Sequence, residues 1–383
     1  MTSVLFDHWF DSSHRQFADM CRRFAREEIA PHAERWEEAG GFDRALYVKA
    51  AEAGVLAPTF PEAYGGGGGD AFHGVVAGEE LLRGGSTGVC VGLASLNIAI
   101  PPILSLGTEE QKRRFLPPIL AGEHISALAI TEPGTGSDVS GIRTRAARDG
   151  DSYVINGAKT FITSGCRADV LTVLARTSED PHGGLTFFVV ERDMEGFSVS
   201  RALKKTGWWA SDTAELAFDD VRVPLENRIG EEGSGFIALM KNFENERLML
   251  AINGCALAMI SLEYAAAYAA ERTAFGRPIG RFQVTRHKLA EMATQVASAR
   301  ALTYNVAGQI NAGKPVMVEA AMAKNHAATV ARHVCWEAVQ IYGGMGYMRE
   351  TVVERFARDA RLLPIGGGTQ EIMREIIARG LGY

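Results

Sequence analysis

Thr131-Glu132-Pro133-Gly134-Thr135-Gly136-Ser137-Asp138 follows directly on an apolar run at 125–130. An apolar strand that opens into hydroxyls, glycines and carboxylates brings backbone N–H groups and side-chain oxygens within reach of a ligand. Pro133 fixes the entry, while Gly134 and Gly136 tolerate positive φ and let another backbone or a ligand come close. Taken alone, the stretch reads at least as well as a polar turn between strands. Its surroundings decide the matter.

Around it, residues 125–228 carry a period of two. Tyr153-Val154-Ile155 leads into Asn156-Gly157, a hairpin signal, with 159–163 as the returning strand. Short apolar runs at 171–175, 185–190 and 197–200, and the alternation of Ala214, Leu216 and Phe218, predict further strands. Upstream, Phe17, Met20, Cys21, Phe24 and Ala25 recur at helical spacing before Pro31, and Thr108-Glu109-Glu110-Gln111 has capping-box spacing. The glycine run 65–69 reads as a mobile connection; no Lys-Ser or Lys-Thr follows it, as a phosphate cradle would require. Beyond Gly235 the pattern predicts helices over 236–273, 284–312, 316–342 and 370–379, with Phe275-Gly276-Arg277-Pro278 as a stop. The expected fold class is α+β. An N-terminal helical domain at 1–124 precedes a barrel-like antiparallel β domain at 125–234 and a C-terminal helical bundle at 235–383.

A net charge of −6 argues against nucleic acid or an anionic membrane as the main partner, and leaves room for a local basic groove. Cys21, Cys90, Cys166, Cys255 and Cys335 are scattered and form no C-x-x-C pair, which suits reduced thiols in a cytoplasmic protein and offers no metal spacing. His326 and His333 lack a third ligand nearby and read as packing or surface residues. Residues 1–10 show no basic region followed by an apolar core, and no uninterrupted apolar stretch is long enough to span a bilayer. Trp208-Trp209 suits an entrance or subunit contact, or equally a core or loop anchor.

Four loops combine glycine with hydroxyl or amide groups: 131–138, Phe161-Ile162-Thr163-Ser164-Gly165, the segment 340–346, and Gly366-Gly367-Gly368-Thr369. Arg272 adds a cation at the end of a long helix. Together they suit a flat, heteroatom-rich cofactor bearing a diphosphate. No Rossmann fingerprint is present, so a nicotinamide is disfavoured.

These segments resemble the acyl-CoA dehydrogenase family, over essentially the whole chain. The resemblance rests on 129–138, 156–165, Ala210-Ser211-Asp212-Thr213-Ala214-Glu215-Leu216, Glu271-Arg272-Thr273-Ala274-Phe275-Gly276, 340–346 and Arg358-Asp359-Ala360-Arg361. It implies FAD, a C-terminal four-helix bundle, and usually a homotetramer. It further implies that Leu128, Ile130, Thr131, Gly136, Ser137, Phe161 and Thr163 surround the flavin, with Thr131 and Thr163 bonded to its ring. Ser137 would lie between cofactor and substrate. Arg272, Phe275, Gln283, Gln340, Gly343 and Gly344 would reach the FAD of a neighbouring subunit, and Thr369 and Glu371 would sit by its adenosine end. Glu244 and Arg247 would border the pantetheine arm, with Gly366 and Gly368 also at the substrate. Phe161 replaces the tryptophan of many members and keeps an aromatic face over the flavin.

Many members place the catalytic glutamate at the position matching Gly367, and here that loop holds no carboxylate. Removing a weakly acidic α-proton needs a base in a dry, fixed place. Glu246 falls within the apolar helical row of Leu239, Phe243, Leu250 and Gly254, where a carboxylate is costly unless paired or functional. From spacing alone, pairing with Arg247 or Arg272 is the better reading. The resemblance reverses this, because isovaleryl-CoA and long-chain acyl-CoA dehydrogenases carry their glutamate within a similar Glu-Arg-Leu run. Glu244 lies about 200° round the helix, on another face. Gly367 would still supply its backbone N–H to polarise the thioester carbonyl.

The expected function is FAD-dependent α,β-dehydrogenation of an acyl-CoA to trans-2-enoyl-CoA, with electrons passed to an electron-transferring flavoprotein. Space at Gly366 and Gly367 suggests a branched or bulky acyl chain. The alternatives are a flavin oxidase or monooxygenase on the same scaffold, a dehydrogenase acting on an acyl carrier protein, and a non-catalytic flavoprotein. Glu132 and Asp138 drop out as catalytic candidates.

Overall fold

In the computed structural model, Phe6–Tyr383 are described; of the stretch 1–10 read above, residues 1–5 lie outside the described residues. The N-terminal helices begin where side chains satisfy free backbone donors. Asp11 accepts from the N–H groups of Ser13 and His14 and opens α1 (Ser12–Phe24). Asp70 does the same for α2 (Ala71–Leu81). At α3 (Glu109–Leu120) the expected capping box is present, with Thr108 and Gln111 each accepting from the other's backbone N–H. The glycine run differs from expectation. The N–H groups of Gly66, Gly67, Gly68 and Gly69 donate to the carbonyls of Pro61, Ala57, Phe60 and Pro58. A Cβ at Gly66 would fall 2.2 Å from the Phe60 carbonyl oxygen. Close packing against 57–61, not mobility, is what these glycines permit.

Eight strands form one sheet: β1 (Ser126–Ala129), β2 (Arg145–Asp149), β3 (Ser152–Thr163), β4 (Val170–Arg176), β5 (Leu185–Glu191), β6 (Phe197–Ala202), β7 (Thr213–Pro224) and β8 (Arg228–Ile229). Their order is β6-β7-β3-β2-β4-β5-β8, with β1 beside β4. Pairing is antiparallel except that β1 and β2 each run parallel to β4. The hairpin expected at Asn156-Gly157 does not form. β3 runs straight through it, and the tight turn is Gly150-Asp151, between β2 and β3. At Asn156 the register with β7 shifts, and Asn156 and Asp220 exchange hydrogen bonds of 2.8 Å in both directions. The Asn-Gly pair makes a β-bulge, which needs the same conformational freedom as a turn. β4 and β5 are buried on both faces. Leu174, Leu185, Phe187 and Val189 pack on the N-terminal helices, while Leu171, Val173, Phe188 and Val190 fill the other side.

The C-terminal helices are α4 (Gly235–Glu271), α5 (Gln283–Asn311), α6 (Met317–Tyr342), α7 (Val352–Asp359) and α8 (Gln370–Gly380). By length and composition α4 is apolar enough to cross a membrane, although Asn253 and Glu263 interrupt its apolar run, as the sequence reading expects. In the fold 67% of its most apolar window is buried, as the core helix of the bundle. Gly254 lets α4 approach α6, since a Cβ there would lie 3.0 Å from the Ala327 carbonyl oxygen. The helix ends at Glu271, earlier than expected, because 273–278 turn into a hairpin of β9 (Thr273–Ala274) and β10 (Arg277–Pro278). Phe275 and Gly276 form its two-residue turn, with φ of 52° and 78°.

Candidate active site

Loop 131–138 is fastened from below by its own acid. Glu132 is buried; its carboxylate accepts from the N–H groups of Arg143 and Thr144 at 2.7 and 2.9 Å and from Lys159 Nζ at 2.9 Å. Lys159, with no solvent exposure, also donates to the Ile130 carbonyl. Although burial opposes it, the cation of Lys159 and these N–H bonds hold the Glu132 carboxyl below its usual range. Glu132 is thus a staple, and Asp138 is exposed and accepts from Ser140 Oγ. Gly134 and Gly136 do not take positive φ, as the sequence reading had allowed; a Cβ on either would meet nothing within 4 Å, so their surface faces open space. Ser137 is exposed beside them, and Thr131, Thr135 and Leu128 are half-buried, while Ile130 is buried behind.

Thr160 N–H donates to the Thr131 carbonyl, which joins this loop to the end of β3. There the β3–β7 register breaks again between Lys159 and Ile162. Phe161, in the break, is 68% exposed and sits at φ 59°. An aromatic residue held in the left-handed region and facing outward is strained, a feature that collects at ligand sites. Thr163, at the end of β3, is half-buried. Asp212 secures the turn that follows, accepting from Cys166 N–H at 2.7 Å and from Arg167 Nε at 2.6 Å. The residues present suit a flavin: open glycines, the hydroxyls of Thr131 and Thr163, and an exposed aromatic plane.

The second half of the site lies between α4 and the loop before α8. Gly367 has φ 63°, and a Cβ built on it would sit 2.3 Å from Leu250 Cδ1 and 3.4 Å from Glu246 Oε1. A carboxylate from α4 therefore occupies the space that a side chain at 367 would enter. The room expected there for a bulky acyl chain is filled by Leu250 and Glu246; at Gly366 the nearest neighbour, Leu362 Cγ, stands at 3.7 Å. Burial pushes the Glu246 carboxyl above its ordinary range, against the pull of the Arg247 and Lys324 cations. Arg247 is buried, and among the described residues its Nε has no hydrogen-bond partner. Glu244 is half-buried and belongs to the surroundings of Arg247, not of Glu246. Thr369 caps α8 through Ile372 N–H, with Glu371 exposed in its first turn.

Arg272, Phe275, Gln283, Gln340, Gly343 and Gly344 are all exposed, Phe275 to 95%. Among the described residues no hydrogen bond or ion pair joins them to loop 131–138; Gln283, for instance, contacts His287 on its own helix.

Two features escaped the sequence reading. Lys324 of α6 is buried, donates to the Gly368 carbonyl and lies close enough to Glu246 to be felt by it. A lysine among alanines at helical spacing is the same signal as Glu246 on its apolar row. The other is a cleft between Ser140, Gly141, Arg143, Arg145, Arg176, Glu179 and Pro181, beside loop 131–138, in which Glu179 pairs with Arg145. Arg143, Arg145 and Arg176 come from a loop and the ends of two strands far apart in sequence, and carry no motif. The tryptophan pair proves to be a loop anchor. Trp208 N–H donates to buried Asp359 at 2.6 Å, and the Trp209 ring lies under the guanidinium groups of Arg358 and Arg349 at 3.6 and 4.3 Å.

Comparison with known proteins gives three consecutive family matches: acyl-CoA dehydrogenase N-terminal domain at 11–123, middle domain at 127–221, and C-terminal domain at 233–382. The chain is 40% identical to the long-chain specific acyl-CoA dehydrogenase of Sus scrofa mitochondria over 382 residues, covering 99% of this chain and 89% of that protein. A probable acyl-CoA dehydrogenase from Mycobacterium abscessus superposes with a TM-score of 0.96 at 49% identity, over 98% of this chain and 100% of that one. A glutaryl-CoA dehydrogenase from Mycobacterium smegmatis, solved in complex with FADH2, superposes with a TM-score of 0.91 at 29% identity, over 98% and 96%.

Proposed function

We infer the reaction from one premise: this chain belongs to the acyl-CoA dehydrogenase family, matched across its N-terminal, middle and C-terminal domains. It is an oxidoreductase that dehydrogenates an acyl-CoA thioester between Cα and Cβ. Glu246 takes the α-proton, the electron pair of that C–H bond becomes the new C=C bond, and the β-hydrogen leaves with its pair as hydride. FAD, when bound, supplies the two-electron acceptor at N5 for that hydride. The backbone N–H of Gly367 polarises the thioester carbonyl as negative charge builds on its oxygen, which acidifies the α-carbon. The observation that carries this reading is the Glu246 carboxylate standing 3.4 Å from the Cβ position of Gly367, so base and oxyanion donor share one small space.

Thr131 and Thr163 would bond the flavin ring, Phe161 would cover it, and Ser137 would face the substrate. Thr369 and Glu371 would border the adenosine. Arg247, with its free Nε, would donate to a polar group of the pantetheine arm, and Arg143, in the cleft beside Ser140, would meet a phosphate of CoA. The exposed set of Arg272, Phe275, Gln283, Gln340, Gly343 and Gly344 has the character of a surface completed by a second copy, whose FAD it would contact. Electrons then leave to an electron-transferring flavoprotein. Free cysteines fit a reducing compartment such as the cytoplasm.

Anaerobic addition of acyl-CoAs of varied length and branching, followed by the visible flavin spectrum, tests the reading. Bleaching by at least one thioester is expected. A flavin that no acyl-CoA bleaches contradicts it. Fast reoxidation by oxygen, undiminished without a carrier flavoprotein, marks an oxidase instead.

A further inference from the structure

The loop at 366–368 poses a mechanical problem. Three successive glycines have more backbone freedom than any other tripeptide, and Gly367 and Gly368 sit at φ 63° and 89°. An oxyanion donor must nevertheless hold its place to within about half an ångström. Backbone bonds from Gly366 N–H to the Leu362 carbonyl and from Gln370 N–H to the Pro364 carbonyl close the loop at its two ends, but among the described residues no side chain of the loop itself ties down Gly367 and Gly368.

α6 supplies the restraint. Its buried face is built from Ala320, Ala323, Ala327, Ala328 and Ala331, and Lys324 lies within that face, 1% exposed. A buried ammonium is costly unless its protons and charge are met. The Nζ donates to the carbonyl of Gly368, and its charge acts on Glu246 at longer range, without a direct ion pair between the two. One residue on, Asn325 Nδ2 donates to the Gln370 carbonyl at 3.2 Å, and Gln370 Nε2 returns to Thr329 Oγ1 at 3.0 Å. The helix thus grips the loop where it enters α8.

We propose that Lys324 is a positioning residue: its ammonium fixes the glycine turn through the Gly368 carbonyl and acts on the Glu246 carboxylate, so that base and backbone donor are held in one geometry. This rests on the dehydrogenase reading above. The charged groups around the pair are Arg247 on α4 and Glu371 on α8, with Lys324 itself acting on Glu246 from α6. A cation near a carboxylate favours its ionised form, so removing the cation raises the pH at which Glu246 becomes a base. Burial pushes Lys324 itself down to about 8, and the Glu246 charge acts against that.

The test uses flavin-loaded wild type, Lys324→Met and Lys324→Gln. Two signals are followed across pH: the anaerobic rate of flavin bleaching by a saturating acyl-CoA, and the long-wavelength band formed with a 3-thia acyl-CoA. That analogue can lose its α-proton but has no β-hydride to give. In both variants the deprotonation midpoint moves up by about one pH unit. Lys324→Met also lowers the plateau bleaching rate by about 10- to 100-fold with little change in the half-saturating thioester concentration, as expected for a displaced donor. Lys324→Gln keeps a donor for Gly368 and recovers most of that plateau. Should Lys324→Met fail to fold with flavin, Lys324→Gln carries the test through its midpoint. Wild-type midpoints and plateaus in the variants overturn the proposal while leaving the dehydrogenase reading intact. A wild type that shows neither signal overturns the dehydrogenase reading, and this inference with it.

Discussion

Glu246 and Gly367 act as one unit, and substitutions at the two should fail in different ways. Glu246→Gln keeps shape and removes the base, so the rate of anaerobic flavin reduction should fall by about 10²- to 10⁴-fold with acyl-CoA binding retained. The same variant should be more stable at neutral pH. A carboxyl whose folded pKa is raised binds its proton more tightly when folded. Its contribution is therefore complete below the unfolded pKa and declines as pH rises towards the folded one. The melting temperature of Glu246→Gln should accordingly match wild type in acid and exceed it as pH rises towards neutral; the reverse order would mean that Glu246 is a stabilising ion-pair partner. Gly367→Ala places a methyl 2.3 Å from Leu250 Cδ1 at a left-handed φ and should cost about 1–3 kcal/mol in urea unfolding. Glu132→Gln strands the buried Lys159 charge and should cost about 3–5 kcal/mol by the same measurement. Glu246 was legible in the sequence as an acid on an apolar row. Lys324 carried the same kind of signal, a charge on an apolar helical face, but a lysine among alanines is ordinarily a solvated side chain and no family motif singled it out.

At the scale of elements, helices were read to within a few residues wherever a cap or a long apolar period marked them, as at Thr108 and along α6. The misreadings share a cause. Asn156-Gly157 became a bulge, Phe275-Gly276 a hairpin tip rather than a helix stop, and 65–69 a packed segment. Local chemistry told that the chain departs from regular geometry there; which partner strand or backbone it meets is long-range information. The bulge at Phe161 has a consequence that can be measured. Its left-handed, exposed ring is strained, and on this account it is retained for its face against the flavin. Phe161→Ala should leave the melting temperature of flavin-free protein unchanged or higher, yet loosen FAD by up to about tenfold, read as the flavin-to-protein ratio after gel filtration. Unchanged retention would remove Phe161 from the cofactor site.

At the scale of the whole molecule, the order of helices, sheet and helices was legible because the apolar period changes twice along the chain. What fastens the sheet to the bundle was not. The Trp208-Trp209 loop bonds to Asp359 and stacks under Arg358 from a residue about 150 positions away in sequence, and no local pattern announces it. The exposed Phe275 and its neighbours belong to this scale too. If a second copy covers them, Phe275→Asp should shift sedimentation towards smaller species and lower flavin content together; a change in neither means that this surface is free in solution. Whether Glu246 is the base is read most directly from stopped-flow bleaching of the bound flavin by an acyl-CoA that reduces the wild type. Rapid bleaching of the wild type is expected, with a loss of about 10² or more in rate for Glu246→Gln while flavin stays bound. Bleaching of Glu246→Gln at the wild-type rate would mean that Glu246 is not the base.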